Sequence, residues 1–403
     1  MTAMRASDIL VANHTSRASR SPAPAPDARE HLRVLFVQDH LARPGEGTHG
    51  VTRYLATTLP ALRRVAVEPM LVVLSAPRGL ADSDLDPQPH FLGRAKWDPR
   101  AFSDLRRLVQ DFRPHLLHLG AVKAMLIGRI LGRGIGVPSV VHLHDALPMN
   151  RLVAPLQRRL AGWTDVAVAV SGGLVEVAVA QYGVPRERVA VLHNGVALDR
   201  FGGTGRRSEA RARLGFDPAA PVLIVVGRLV MGKGQDQLLE ALPAVRAGHP
   251  SVRLLVVGDG PARAALERRA AELGLAGSVT FLGYRDDVPD LLAAADLAVV
   301  PSLVAEGLGY TAIEALSAGV PVVAYRSGGL AEVVTEGTSG RLVPVGDVAG
   351  LGAAISELLA DRPQRERLAA GARREAARFS VEHHVEELRG LYDRILLARR
   401  RSG

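Results

Sequence analysis

Apolar positions along this chain gather in short uninterrupted runs rich in Val, Leu and Ile, and most gaps between runs carry helical spacing. In the first half the runs are 33–38, 70–75, 115–119, 139–144, 165–170 and 189–193. In the second half they are 222–226, 252–257, 279–282, 297–301, 320–324 and 341–343. A half-exposed strand would alternate apolar with polar, so continuous runs of this length predict strands buried on both faces. Strand alternating with helix implies parallel sheets joined by right-handed crossovers. The pattern predicts an α/β chain of two Rossmann-like domains.

Patterning is weakest at 1–30 and 201–221. The first stretch, with its Ala, Pro, Ser and Arg and no periodicity, reads as a disordered tail. The second reads as a linker, which leaves domains at 31–200 and 222–380. The last segment, 381–403, places Val385, Leu388, Leu391 and Ile395 on one helical stripe. Its closing Arg399-Arg400-Arg401 opposes the negative end of that helix's dipole.

Composition narrows the classes of function. No apolar run approaches the ~20 residues of a spanning helix, and residues 1–30 hold no apolar stretch of the secretory kind. A cytoplasmic protein is expected. The chain has no cysteine, which excludes disulfides, thiolate metal sites and cysteine nucleophiles. The net charge of +9 is uneven: residues 1–200 carry 25 basic against 17 acidic side chains, and residues 201–403 carry 25 against 24. A basic first half predicts an anionic partner such as a phosphorylated substrate or an acidic lipid surface. Only three lysines occur, Lys96, Lys123 and Lys233, beside 47 arginines.

In an open parallel sheet, ligands bind beyond the carboxyl ends of the strands, so the residues following each run carry the candidate chemistry. Residues 45–50 fit G-x-G-x-x-G, but they stand several residues beyond the first run and no acid ends the second. That disfavours a dinucleotide site and an NAD-dependent oxidoreductase. A glycine loop over a ligand, with Gly47 and Gly50, or a tight strand-to-helix turn is the better reading. Residues 227–234 nearly fit the phosphate loop G-x-x-x-x-G-K-[ST], but Gly234 replaces the hydroxyl that would hold Mg²⁺. Arg228 and Lys233 still offer a guanidinium fork and a point charge for a diphosphate. Ser171 loosely resembles a hydrolase nucleophile and reads better as an N-cap. Finally, Glu306 and Glu314 flank a glycine-rich loop and helix start after the run 297–301. Backbone N–H groups near Leu308, Gly309 and Tyr310 would face phosphate, with Glu314 about two helical turns in.

With these motifs together, the sequence resembles the retaining glycosyltransferases of family 4, with the GT-B architecture of two Rossmann-like parallel-sheet domains facing a central cleft. The resemblance rests on 45–50, 141–145, Val170-Ser171, 192–199, 227–229, 232–234, 258–261, 281–284 and 306–314. It implies that Arg228, Lys233, Leu308 and Gly309 bind the donor diphosphate and that Glu314 holds the ribose. It further implies that Tyr284 and Arg285 lie against the nucleobase and that Glu306 contacts the transferred sugar. His144 is similar to a family histidine facing donor sugar or acceptor, and 381–403 would cross back onto the first domain. Many members carry H-x-H where this chain has His118-Leu119-Gly120, so His118 is an uncertain contact.

The implied activity is transfer of a hexose from a UDP- or GDP-sugar, with retention, in envelope polysaccharide or glycolipid synthesis. Tailoring of a small-molecule natural product is the alternative, and a non-catalytic sugar-nucleotide binder is a remoter one. Such a binder would not need Glu306. No metal, cofactor or nucleic acid is expected. The nucleotide-sugar is a substrate, and the acceptor is a sugar, a lipid-linked molecule or a small molecule. Arg151, Arg158 and Arg159 around Leu152, Leu156, Leu160 and Trp163 fit a solvated amphipathic helix first, and otherwise a peripheral contact with an anionic inner membrane face or a site for a pyrophosphate-linked acceptor.

Overall fold

All twelve apolar runs form strands in the computed structural model, which describes residues 31–41, 50–75, 85–93, 98, 100–146, 149–201 and 207–402. The strands of the first sheet are β1 (Leu32–Gln38), β2 (Val67–Val73), β3 (His90–Phe91), β4 (Leu116–Gly120), β5 (Ser139–Leu143), β6 (Val166–Ala169) and β7 (Val189–Val191). Those of the second are β8 (Val222–Val226), β9 (Arg253–Val257), β10 (Val279–Gly283), β11 (Leu297–Val300), β12 (Val322–Tyr325) and β13 (Gly340–Val343). The two-residue β3 is the strand that the pattern of runs does not predict. The tail 1–30, Gly47 and most of the loop 45–50 lie outside the described residues.

Every strand pair is parallel. The orders are β3-β2-β1-β4-β5-β6-β7 and β10-β9-β8-β11-β12-β13. Both are doubly wound, and the order reverses between β1 and β4 in one sheet and between β8 and β11 in the other. Central strands are buried on both faces, as in β4 and β5, where all five residues are buried. That two-sided burial is why the runs are continuous rather than alternating.

The chain passes between two compact units at Gly195/Val196 and again at Ser380/Val381. The helix Val381–Ser402 belongs to the first unit and buries Val385, Leu388, Leu391, Tyr392 and Ile395. The stretch 201–221, expected to be a linker, instead contributes the helix Arg207–Arg213 to the second unit. Arg211 is the reason. Its buried guanidinium donates to the carbonyls of Ala294, Pro218 and Ala220 and pairs with Asp296 at 2.7 Å. Ser171 is a second correction. It occupies the N-cap position of the turn Gly172–Leu174, but its hydroxyl makes no capping hydrogen bond.

Candidate active site

In the second unit the loops after β8 and β11 meet at the point where strand order reverses. The Gly232 carbonyl accepts from Leu303 N–H at 2.8 Å and from Val304 N–H at 3.3 Å. Gly234 passes so close to Pro301 that a Cβ there would fall 1.8 Å from the proline carbonyl oxygen. That approach, with φ at +72°, fixes glycine where a phosphate loop would carry a hydroxyl residue. The lacing brings Lys233 and Glu306 together, and Lys233 Nζ donates to Glu306 Oε1 at 2.6 Å. Their side chains are 31% and 17% exposed, so the pair is open to a ligand from one side. Arg228 is exposed on the same loop, and its carbonyl accepts from Gln235 Nε2 at 3.1 Å.

Leu308 and Gly309 are buried and lead into the helix Tyr310–Ser317. Gly309 is its N-cap, with φ at +95°, so the helix begins there and not at Glu306. Glu314 therefore sits about one turn in rather than the expected two, because residues 306–309 are loop. Its side chain is buried. The helix closes through Gly319 N–H to Leu316 and Val320 N–H to Ala315, a Schellman pattern.

Sequence reasoning missed Gly328 and Gly329, which follow β12. Gly329 N–H donates to the Glu306 carbonyl at 2.8 Å. A Cβ on Gly328 would lie 2.3 Å from that same oxygen. The pair thus presses against the backbone of Glu306 and fixes where its carboxylate stands. The rule of reading just beyond each strand reaches these residues as well as it reaches Glu306.

Tyr284 and Arg285 follow β10 at the far edge of the same sheet, linked to the site by backbone bonds at the strand ends. Gly258 N–H donates to the Gly283 carbonyl at 2.8 Å and Gly227 N–H to the Val257 carbonyl at 2.9 Å. Tyr284 is exposed. Arg285 forks onto Asp287 at 2.7 and 2.5 Å, which lowers the Asp287 pKa and leaves the guanidinium plane held against that carboxylate.

His144 and His118 belong to the first unit. Asn194 Nδ2 donates to His144 Nδ1 at 3.1 Å, so Nε2 carries the proton, and Nε2 has no hydrogen-bond partner among the described residues. Burial pushes the His144 pKa down to about 3, with the charge of His384 as the second cause. The ring is a neutral donor. His118 lies deeper, fully buried and stacked on Phe36. Its Nε2 meets His142 Nδ1 at 2.9 Å and its Nδ1 meets the Tyr392 hydroxyl at 2.8 Å. His118 thus sits in the core of the first unit. Gly50 is the exposed first residue of the helix Gly50–Leu62.

Two doubly wound sheets, one carrying a lysine–carboxylate pair beside a helix start at its switch point, define the architecture of a glycosyltransferase of the two-domain kind. Residues 48–200 match the model described as Glycosyltransferase Family 4, and residues 206–375 match Glycosyl transferases group 1. One relative is the GDP-mannose-dependent alpha-(1-6)-phosphatidylinositol monomannoside mannosyltransferase of Mycolicibacterium smegmatis. It is 34% identical over 66% of this chain and 73% of its own length. Another is the 2-deoxystreptamine glucosyltransferase of Streptomyces kanamyceticus, 33% identical over 74% of this chain and 82% of its own length. HepE of Anabaena, solved with UDP, shares the fold with a TM-score of 0.77 at 24% identity, over 89% of this chain and 99% of HepE. The chain belongs to glycosyltransferase family 4 and is an enzyme of that class.

Proposed function

We propose that the chain moves a hexose from a UDP- or GDP-sugar to an acceptor hydroxyl, with retention at the anomeric carbon and without a divalent metal. The Lys233–Glu306 pair is the observation that most supports this reading. Breaking the anomeric bond develops negative charge on the diphosphate and positive charge on the sugar ring. Lys233, with Arg228 on the same loop, answers the first charge, and the N–H groups opening Tyr310–Ser317 add a fixed dipole. Glu306 answers the second. Lys233 and Arg228 supply the cationic role that Mg²⁺ plays in phosphate-loop enzymes. Glu314 would take the ribose hydroxyls, Tyr284 the nucleobase, and the neutral His144 Nε2–H an oxygen of the donor sugar or acceptor.

The mycolicibacterial relative is named for GDP-mannose and a lipid acceptor, the Streptomyces relative for a small molecule, and HepE was crystallised with UDP. The reading is tested by incubating the protein with UDP-, GDP-, ADP- and dTDP-sugars in a chelator and measuring released nucleoside diphosphate by mass spectrometry. Release from one donor, lost in Glu306→Ala, is expected. No release together with no nucleotide binding would overturn it.

A peripheral membrane contact is supported by one surface. Leu152 is 87% exposed, and Leu156 and Trp163 are exposed near Arg151 and Arg159, although Leu160 is buried. No helix among the described residues is long and apolar enough to cross a membrane. Binding to phosphatidylglycerol vesicles at low salt, released at high salt, is expected. Failure to cosediment at low salt would end that reading.

A further inference from the structure

The Lys233–Glu306 contact joins the loops after β8 and β11, and a third strand holds the second of these loops. β12 lies beside β11, and just past its end the chain turns tightly, with Ser327 N–H donating to the Tyr325 carbonyl at 2.8 Å. The turn brings the buried Ser327 side chain against the loop after β11. Its hydroxyl donates to the Val304 carbonyl at 2.5 Å. Gly328 and Gly329 follow, and each passes so close to residues 305–308 that a Cβ would strike their backbone.

Val304 stands two residues before Glu306. A peptide group is planar, so a hydrogen bond to the Val304 carbonyl orients the whole link from Val304 to Ala305. On the other side of Glu306, Gly329 N–H holds the Glu306 carbonyl at 2.8 Å. The Glu306 backbone therefore lies between two peptide planes tied to the same turn. The Gly232 carbonyl, accepting from Leu303 and Val304 N–H, ties the segment also to the loop that carries Lys233. Of the two bonds made by the turn, that of Gly329 is backbone and that of Ser327 is a side chain, which a substitution can remove. Ser302 Oγ reaches the same Val304 carbonyl at 3.2 Å, but from within the loop after β11. It satisfies the oxygen without tying it to β12.

We propose that Ser327 is a positioning residue of this enzyme: its hydroxyl, by tying the Val304 carbonyl to the turn after β12, holds the Glu306 carboxylate at the Lys233 ammonium. Its effect on kcat rests on the function proposed above; its effect on the geometry of the pair does not. A misplacement of about 1 Å can cost a reaction on the order of 10²-fold. With the Gly329 and Gly232 bonds still in place, losing the Ser327 hydroxyl should cost about tenfold.

The test uses the full chain and NMR of isotope-labelled lysine side chains. With only three lysines the spectrum is sparse, and the Lys233 signal is the one lost in Lys233→Met. In Ser327→Ala that signal should move toward its position in Glu306→Ala, while the Lys123 signal of the first unit stays. Ser327→Thr, which keeps the hydroxyl, should leave the Lys233 signal near its original place, and Ser302→Ala should move it less than Ser327→Ala does. In transfer assays kcat of Ser327→Ala should fall about tenfold with nucleoside diphosphate affinity kept. Added to Glu306→Ala, the same change should cost nothing further, because Ser327 acts through that carboxylate. An unmoved Lys233 signal in Ser327→Ala, an equal shift in Ser302→Ala, or an undiminished loss of kcat when Glu306 is already absent would overturn the proposal. Transfer that is indifferent to Glu306→Ala would instead refute the role given to Glu306 above, and the Lys233 signal would still decide whether Ser327 sets the pair.

Discussion

Replacing Lys233 with Met is expected to lower kcat/KM for transfer by roughly 10²–10³, which is ~3–4 kcal/mol of transition-state stabilisation. The amine is the cation that the leaving diphosphate would meet, and Glu306 Oε1, 2.6 Å away, fixes its position. The two variants should divide the kinetics differently. On the proposed reading Lys233→Met removes a charge that both bound nucleotide and transition state would use, so affinity for free nucleoside diphosphate should fall at least about tenfold. On the same reading Glu306→Ala removes a group that would face the sugar, so kcat should fall while diphosphate affinity is kept. The double variant should lose less than the product of the single losses, because the residues touch. Neither should unfold the protein, since a partly exposed ion pair contributes only ~0–1 kcal/mol. Titration calorimetry decides it. A Lys233→Met protein that binds the diphosphate as well as the unaltered one would remove Lys233 from the phosphate site.

Lys233 and Glu306 were legible in the sequence because each stands just past a continuous apolar run, where a parallel sheet presents its ligand groups. Gly328 stands in the same relation to β12, yet its role is to let one backbone approach another, and sequence does not show what approaches. The depth of Glu314 was misjudged for a related reason, since the left-handed Gly309 that starts the helix is one glycine among several in that loop. Charge counting was less informative. The basic surplus of the first half suggests an anionic partner, but several of its arginines are engaged by the fold. Arg129 is fully buried and donates to the Met125 and Gln157 carbonyls and to Thr164. Arg188 donates to the Gly162 and Thr164 carbonyls. A charge tally cannot separate such groups from free ones. His118, read as an incomplete family motif, takes its meaning from Tyr392, 274 residues later in the chain.

That histidine core predicts an acid-labile first unit. His118, His142 and His384 are buried, with His144 stacked on His142 at 4.1 Å between ring centroids. Burial pushes the His384 pKa down to about 4 and those of His118 and His142 well below the ordinary value of 6.5, and neighbouring imidazoles push the same way. The hydrogen bonds agree with the neutral form. The contact between His118 Nε2 and His142 Nδ1 needs one proton, and two imidazolium rings would set N–H against N–H. The folded state therefore binds fewer protons than the unfolded state below pH 6.5. Stability is fully present above that pH and falls as pH drops toward about 4, by ~1.4 kcal/mol per pH unit for each histidine still neutral. Asp39, whose pKa is raised by burial, acts in the opposite sense, but it is one carboxylate against four imidazoles. The second unit has a single histidine, His249, and serves as an internal reference. Hydrogen exchange, corrected for its intrinsic pH dependence, should show protection of the helix Val381–Ser402 and of β4 and β5 falling between pH 7 and pH 5 while β8 and β11 hold. His384→Asn keeps an amide donor for the His193 carbonyl, which His384 Nδ1 now serves at 2.8 Å, and removes one titrating ring. Its slope should be shallower by about 1.4 kcal/mol per pH unit, and an unchanged slope would mean that the buried imidazoles do not govern the acid response.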